Sequence, residues 1–413
     1  MNDFIQSELF NLISILNNSD NNIIKNYLNN NNNNIYSLLN TCDYNNVYPI
    51  HYLLINKKIN FEILDLILEK GSKLTYCNEF KNIIYYILKF QENKKEYIDY
   101  LVTKNFNFNF KDKFRYNIFH YLSFININLN DNVDYLLTLC DYKNLIDSKD
   151  TAIGSSPLLL STQFNNNKIT NKLIELKCDI NNYNKNNNNA LMYTCMYSNL
   201  NLTKKLIDLK ADINHKDNQN DIAVFYACGC DNKNELNLDL IKYLIEKKAD
   251  INGKNAENNT VLHYAAGINN DNIDFKILDY LLSIKIDANS LTNQNNTFID
   301  VIIDNELEDT TELIELIQKY NLMNNININN CIIQNFYKNK DFDKLIKLNL
   351  MKLENETECL ICRDELNDKS RLVKCINNHY YDIECLIESF KHTSDKKCPL
   401  CLDIIDYTYI FHL

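Results

Sequence analysis

The stretch that decides the fold is Thr260-Val261-Leu262-His263-Tyr264-Ala265-Ala266, because similar strings recur along the chain. Close copies begin at Tyr48, Asn117 and Ser156, and weaker copies at Asn82, Asn189, Ile222 and Thr297. The eight starts are 34, 35, 39, 33, 33, 38 and 37 residues apart. A period of this length is typical of a repeat protein in which each unit is one supersecondary element.

A second feature recurs at its own fixed offset from these starts. Apolar pairs, each 16 residues before the next start, begin at Leu66, Leu101, Leu173, Leu206, Leu244 and Leu281. The constant offset predicts that the longer units of 38 and 37 residues carry their extra residues between two helices. We expect Leu206 and Leu244 to be buried, since a single unit is too small to cover its own apolar face.

These strings resemble the ankyrin repeat over roughly residues 40 to 320. The family's Thr-Pro-Leu-His helix start is matched at Thr260, and its Ala-Asp-x-Asn loop at Ala211 and Ala249. The resemblance implies a mainly α fold, a solenoid of stacked helical pairs over residues 1–350, with degenerate caps at 3–28 and 329–350. It also implies a protein target bound on the concave surface and loop tips.

Two features of the repeats carry expectations about local geometry. Lysine replaces the glycine that usually precedes Ala-Asp, so these turns should be strained or adopt another geometry; the positions are Lys177, Lys210, Lys248 and Lys285. The family's histidine position is occupied by His51, His120 and His263, for which we expect a structural hydrogen bond rather than a catalytic or metal-binding role.

The C-terminal segment has a different composition, dominated by potential metal ligands. In order they are Cys359, Cys362, Cys375, His379, Asp382, Cys385, Cys398 and Cys401. Zinc takes four N, S or O donors, and a Cys-x-x-Cys turn brings two thiolates to one ion. Eight donors therefore predict two Zn²⁺ ions per chain.

This spacing resembles the RING finger, and Cys398-Pro399-Leu400-Cys401 matches that family's closing motif. The resemblance implies a small zinc-stabilised cross-brace domain over residues 354–406. One ion would be held by Cys359, Cys362, Asp382 and Cys385, and the other by Cys375, His379, Cys398 and Cys401. Asp382 departs from the usual His or Cys at the fifth position. A site completed by water or by His392 is the alternative.

RING fingers mostly act as ubiquitin ligases, so the resemblance implies ubiquitin transfer without a covalent intermediate and without a catalytic side chain of this chain. The expected contacts to a ubiquitin-conjugating enzyme are Ile361, Phe390 and Pro399. Ser389 stands where the family often has Trp, and Leu402 where it has an activating basic residue. The alternative function is a non-enzymatic ankyrin adaptor with a structural or degenerate RING.

Charge and hydropathy narrow the possible partners and location. The formal net charge is −11, and only three of the 43 basic residues are Arg, which argues against nucleic-acid binding. No apolar stretch reaches the roughly 18 residues needed to span a bilayer, so we expect no membrane insertion. The N-terminus lacks the basic n-region and the small-residue cleavage site of a signal peptide. We therefore expect an intracellular protein, in the cytoplasm.

Overall fold

The computed structural model describes most of the first 320 residues and three short segments near the C-terminus. The described ranges are 3–18, 20–30, 34–43, 47–55, 61–74, 82–125, 132–229, 238–267, 273–305, 311–320, 322, 371–374, 380–382 and 410–412. The chain divides into two compact units. Unit 1 contains residues 1–194 and 201–212, and unit 2 contains residues 195–200 and 213–413.

Helices joined by loops make up the described residues before Tyr320. The N-terminal pair is α1 (Asp3–Asn18) and α2 (Asn21–Asn30), followed by the short α3 (Ile35–Leu39). Eight helical pairs follow: α4 (Pro49–Ile55) and α5 (Phe61–Glu69); α6 (Ile83–Phe90) and α7 (Lys94–Thr103); α8 (Ile118–Phe124) and α9 (Asn132–Leu139), with the short α10 (Tyr142–Leu145) after them; α11 (Pro157–Gln163) and α12 (Asn167–Glu175); α13 (Ala190–Met196) and α14 (Leu200–Asp208); α15 (Ala223–Gly229) and α16 (Leu238–Glu246); α17 (Val261–Ala265) and α18 (Phe275–Ser283); α19 (Phe298–Asp304) and α20 (Thr311–Tyr320).

The first helix of every pair begins one residue after a predicted repeat start, so all eight starts are confirmed. The start residue caps the helix in several units, because its side chain accepts a hydrogen bond from an otherwise unpaired N–H group of the first turn. Asn82 accepts from Ile84, Asn117 from Phe119 and His120, and Ser156 from Leu159.

The extra residues of the long units lie between the two helices, as predicted. In the 33-residue unit that begins at Ser156, three residues separate α11 from α12. In the 38-residue unit that begins at Ile222, eight residues separate α15 from α16. The 39-residue unit that begins at Asn117 also inserts α10 before the next start. This insertion explains why no apolar pair was found there at the common offset.

The predicted buried leucines are confirmed in both units. Leu206 of α14 and Leu244 of α16 have fully buried side chains. In α5 the buried residue is the second of the apolar pair, since Leu66 is partly exposed and Ile67 is buried. The turn after α5 explains this shift, because Ser72 N–H bonds to the carbonyl of Ile67 at 3.1 Å, the bond that Ala211 makes to Leu206.

Within each unit, first helices of consecutive pairs pack against one another. In unit 1, α4 packs against α1 and α6, and α8 packs against α6 and α11. In unit 2, α17 packs against α15, α18 and α19. The predicted N-terminal helical pair is present as α1 and α2, whereas the predicted cap at 329–350 lies outside the described residues. No described helix is both long enough and apolar enough to cross a membrane.

The C-terminal segments form a small antiparallel sheet. Its strands are β1 (Arg371–Lys374), β2 (Tyr380–Asp382) and β3 (Ile410–His412), in the order β2-β1-β3. Lys374 pairs with Tyr380 and Leu372 with Asp382. The first two strands fall inside the predicted zinc domain and the third follows its predicted boundary.

Candidate functional site

The loop before most first helices is organised by one polar side chain, which sequence reasoning missed. In unit 2, Oδ1 of Asp217 accepts the N–H groups of Gln219 and Asp221, both at 2.8 Å. The same two contacts, to the second and fourth residues that follow, are made by Asp112, Asn184, Asn255 and Thr292. Such side-chain bonds replace backbone pairing in a tight turn. The loop is therefore a fixed hairpin tip.

A tyrosine nine residues later ties several of these tips to the helix that follows. The Tyr226 hydroxyl donates to Oδ2 of Asp217 at 2.7 Å, and the Tyr121 hydroxyl donates to Oδ2 of Asp112 at 2.8 Å. The Tyr52 hydroxyl likewise donates to Oδ2 of Asp43 at 2.6 Å. The constant spacing of an acidic residue and a tyrosine could have revealed this arrangement in the sequence. It fixes each tip relative to its own first helix.

Backbone hydrogen bonds also connect neighbouring tips. In unit 1, the Thr151 N–H donates to the Phe114 carbonyl at 2.8 Å, and the Lys185 N–H donates to the Ile153 carbonyl at 2.9 Å. In unit 2, the Ala256 N–H donates to the Gln219 carbonyl at 2.7 Å. These neighbouring tips are therefore linked within their own unit, and the side chains along them are held at defined spacings.

The family-position histidines are structural, as predicted. Nδ1 of His120 accepts the Asn117 N–H at 3.2 Å, and its Nε2 lies 3.2 Å from the Ser155 carbonyl of the next tip. His263 makes the corresponding contacts: its Nδ1 accepts the Thr260 N–H, and its Nε2 lies near the Asn296 carbonyl. Burial lowers the pKa of both imidazoles to about 4, because the charged form is desolvated. The rings are neutral at pH 7 and connect one repeat to the next.

The lysines at the family's glycine position adopt the glycine geometry and not another one. Their φ angles are 61° for Lys177, 70° for Lys210, 69° for Lys248 and 60° for Lys285. At Lys210 the turn is a Schellman motif, since Ala211 N–H bonds to Leu206 and Lys210 N–H bonds to Ile207, both at 2.9 Å. The expected strain is therefore present, because a side chain disfavours this left-handed region.

The predicted zinc ligands lie almost entirely outside the described residues. This applies to Cys359, Cys362, Cys375, His379, Cys385, Cys398 and Cys401, and also to the predicted enzyme contacts Ile361, Phe390 and Pro399. Asp382 lies on β2, where only the backbone is described. In the part of the chain that the structure does describe, no three His, Cys, Asp or Glu side chains are grouped to hold a metal ion.

Comparison with known families identifies the repeats. A family model described as ankyrin repeats (3 copies) matches residues 119–217 and 158–255, and one described as ankyrin repeats (many copies) matches residues 237–282. The matched region runs from within α8 to within α18. None of the curated proteins compared matches the chain. Residues 119–282 are therefore ankyrin repeats, which indicates a role in protein–protein interaction.

Proposed function

We propose that this chain, whose residues 119–282 carry ankyrin repeats, is a RING-type ubiquitin ligase. The repeats bind a protein target, and the C-terminal cysteine-rich segment recruits a ubiquitin-conjugating enzyme. Tethering the two raises the effective concentration of the target near the charged enzyme. The repeats support target binding, whereas the ligase activity rests on the C-terminal segment.

The observation that carries the ligase proposal is the spacing of eight potential zinc donors from Cys359 to Cys401. The short sheet is compatible with this spacing. Lys374, the last residue of β1, pairs with Tyr380, the first residue of β2. Cys375 and His379 are the residues that directly follow and precede this pair in the sequence. These are two of the ligands that the family resemblance assigns to one ion.

The donor set fits zinc, which favours thiolate and imidazole ligands and also accepts a carboxylate. Cys359, Cys362, Asp382 and Cys385 would hold one ion, and Cys375, His379, Cys398 and Cys401 the other. Bound zinc would stabilise the fold of this short segment, since metal-binding free energy then contributes to folding free energy. It would take no part in the transfer of ubiquitin.

Transfer in this proposal depends on proximity and orientation. Ile361, Phe390 and Pro399 would contact the conjugating enzyme, so that a lysine of the target attacks the ubiquitin thioester. The departing thiolate stays with the conjugating enzyme, and no residue of this chain becomes covalently modified. Ile361 lies between two predicted ligands without being one, which makes it the residue that best separates enzyme contact from zinc binding.

The direct test is reconstitution of ubiquitin transfer. Full-length protein is incubated with activating enzyme, a panel of conjugating enzymes, ubiquitin and ATP. The ligase proposal expects ubiquitin ladders that Ile361→Ala strongly reduces while zinc content stays unchanged. Truncating an apolar anchor of a small interface typically costs about 2 kcal/mol or more of binding. Absence of transfer with every conjugating enzyme would overturn the ligase proposal.

A second candidate is the non-enzymatic ankyrin adaptor, favoured by Ser389 and Leu402 at positions where active family members have other residues. Leu402→Arg separates the two. A weak ligase should gain activity from this added basic residue, whereas the adaptor should show no transfer in either form.

A further inference from the structure

Three consecutive hairpin tips of unit 1 carry a group of basic side chains. We call Lys111, Lys113, Arg115, Lys149 and Lys185 the basic tip surface. Lys111, Lys113 and Arg115 surround Asp112 on the first tip, Lys149 precedes Asp150 on the second, and Lys185 follows Asn184 on the third. All except Lys149 are exposed, and Lys149 is half-buried. The group stands out in a chain with a net charge of −11.

The acidic residues at the centre of the first two tips are buried and form no ion pair with the described cations of this surface. Asp112 and Asp150 are only 7% and 4% exposed. Oδ1 of Asp150 accepts the Ile153 N–H at 2.8 Å, and its Oδ2 accepts the Ser155 N–H at 2.8 Å. Burial raises the pKa of Asp112 despite the hydrogen bonds that it accepts from Tyr121 and from its own tip. Both carboxyl groups are committed to the turns.

Salt bridges do not account for three of these cations either. Among the described residues, Lys111, Arg115 and Lys149 form no ion pair, although lysines of the second helices do, as Lys95 does with Asp99 at 2.8 Å. The exposed acidic residues at the bases of these loops include Asp141, Asp147 and Asp179, and Oδ1 of Asp147 accepts the Asp179 N–H at 2.8 Å. Positive charge therefore dominates the tips themselves.

Arg115 occupies a position where a long side chain is unfavourable. Its φ angle is 63°, in the left-handed region. The corresponding positions of four other tips are all asparagine, with φ from 59° to 62°: Asn187, Asn220, Asn258 and Asn295. Asparagine tolerates the left-handed region, whereas the same backbone conformation is unfavourable for arginine. A residue held in a strained conformation at one tip is an observation that points to function.

The surface is also held rigid by contacts between its own tips. The Lys185 Nζ donates to the Thr151 and Ala152 carbonyls at 2.6 and 2.9 Å, and the Lys149 Nζ donates to the Tyr183 carbonyl at 2.5 Å. Two apolar side chains lie exposed on these tips, Tyr183 at 47% and Ile153 at 38%. Preorganised charges beside exposed apolar groups lose little entropy when a ligand binds.

We propose that the basic tip surface binds an acidic protein segment that also carries aromatic or aliphatic side chains. Charge complementarity selects the acidic partner, and Tyr183 and Ile153 offer apolar contact. Nucleic acid is disfavoured because the chain has a net charge of −11 and only three Arg. This inference rests on the protein-binding role within the proposed function and specifies the chemistry of the target.

The test is a binding titration with full-length protein and a fluorescein-labelled peptide of alternating Glu and Tyr, read by fluorescence anisotropy. A peptide with Lys in place of Glu is the control. The acidic peptide should bind and the basic one should not, and binding should weaken as salt is added. Replacing both Lys111 and Arg115 by Asn should weaken binding about tenfold or more at low salt.

The choice of variant separates binding from folding. Arg115→Asn introduces the residue found at the other tips, so the melting temperature should stay the same or rise while affinity falls. The matched control replaces Lys247 and Lys276 by Asn, which removes the same charge from the exposed surface of unit 2. It should leave the affinity of the acidic peptide within about twofold of wild type, since neither lysine belongs to the basic tip surface.

Two results would overturn the inference. One is equal affinity of wild type and the Lys111/Arg115 double variant for the acidic peptide. The other is tighter binding of poly-uridine RNA or of phosphatidylserine vesicles than of the acidic peptide. Ubiquitin ladders formed without added target report on the cysteine-rich segment alone. Ladders without peptide binding contradict this inference only, and peptide binding without ladders contradicts the ligase proposal only.

Discussion

The hydroxyl of Tyr264 donates a hydrogen bond of 2.6 Å to Oδ1 of Asp221, a residue 43 positions earlier in the chain. The Asn255 amide donates to the same oxygen at 3.0 Å, and the Tyr264 ring stacks on Phe225 with centroids 5.0 Å apart. Burial raises the pKa of Asp221, although these two hydrogen bonds act in the opposite direction. One tyrosine therefore connects two successive repeats through both polar and aromatic contacts.

Tyr264→Phe should destabilise the protein by about 1–3 kcal/mol, because the buried Asp221 loses a donor while the ring is kept. The measurement is the urea midpoint of unfolding followed by circular dichroism. Tyr226→Phe is the matched control, since the Tyr226 hydroxyl bonds to Asp217, which is as buried as Asp221, at 2.7 Å. Tyr226 itself is partly exposed, so water can replace the lost donor and this change should cost less. Equal or reversed costs would contradict this account of the Tyr264 contact.

Lys210→Gly and Lys248→Gly should each stabilise the protein by up to about 1 kcal/mol, because glycine adopts the left-handed region without strain. The readout is the thermal unfolding midpoint. Lys204→Gly provides the contrast, since Lys204 lies inside α14, where glycine costs about 1 kcal/mol relative to a good helix former. Destabilisation by all three glycines would show that the lysine side chains contribute more than the strain they impose.

Leu206→Ala and Leu244→Ala should each cost on the order of 2–5 kcal/mol, since both side chains are fully buried. Loss of helical signal should be strongest in neighbouring repeats, because stability in a repeat array is coupled mainly to nearest neighbours. Hydrogen exchange measured by mass spectrometry locates the loosened segments. Zinc content should not change, and its loss would show that the repeats and the cysteine-rich segment unfold together.

Acidification should destabilise the repeats through His120 and His263. Their pKa values are about 4 in the folded protein, below the ordinary 6.5, so the unfolded chain binds protons first as the pH falls. The contribution of these two histidines to the free energy of unfolding is fully present above pH 6.5. It declines between pH 6.5 and 4, by about 1.4 kcal/mol per unit of pKa shift for each residue.

The histidine effect is isolated by comparing variants across pH. His263→Gln should lower stability at pH 7 and flatten its decline between pH 6.5 and 4. The raised pKa values of Asp112 and Asp221 act in the opposite direction, because the folded protein holds those protons more tightly. The informative quantity is therefore the difference between wild type and variant in the slope of unfolding free energy against pH. An unchanged slope would contradict the role given to His263.

Purified protein should contain two zinc ions per chain, measured by plasma emission spectroscopy. Chelation should unfold residues 359–401 and leave the repeats helical, since the metal supplies the folding free energy of that segment. Asp382→Ala should weaken one site and His392→Ala neither. The reverse pattern would identify His392 as the fifth ligand, and one ion or none in folded protein would refute the two-site assignment.

The period of the repeats and the helix starts followed from sequence because their causes are local. A capping side chain such as Asn117 or Ser156 bonds N–H groups within three residues of itself, so its effect is visible in a short string. The burial of Leu206 and Leu244 was likewise predictable, since apolar spacing determines which helix face is covered. Where α10 was inserted, the fixed offset no longer applied.

Only the tertiary structure decided how the repeats are connected and which charges stay available. The bond between Tyr264 and Asp221 requires two units to stack before the residues meet, and no local pattern encodes that distance. The same holds for Asp112 and Asp150, which by sequence position could form ion pairs with the basic residues beside them. Folding buries both carboxylates in their turns, where backbone N–H groups take up their lone pairs and leave Lys111 and Arg115 exposed.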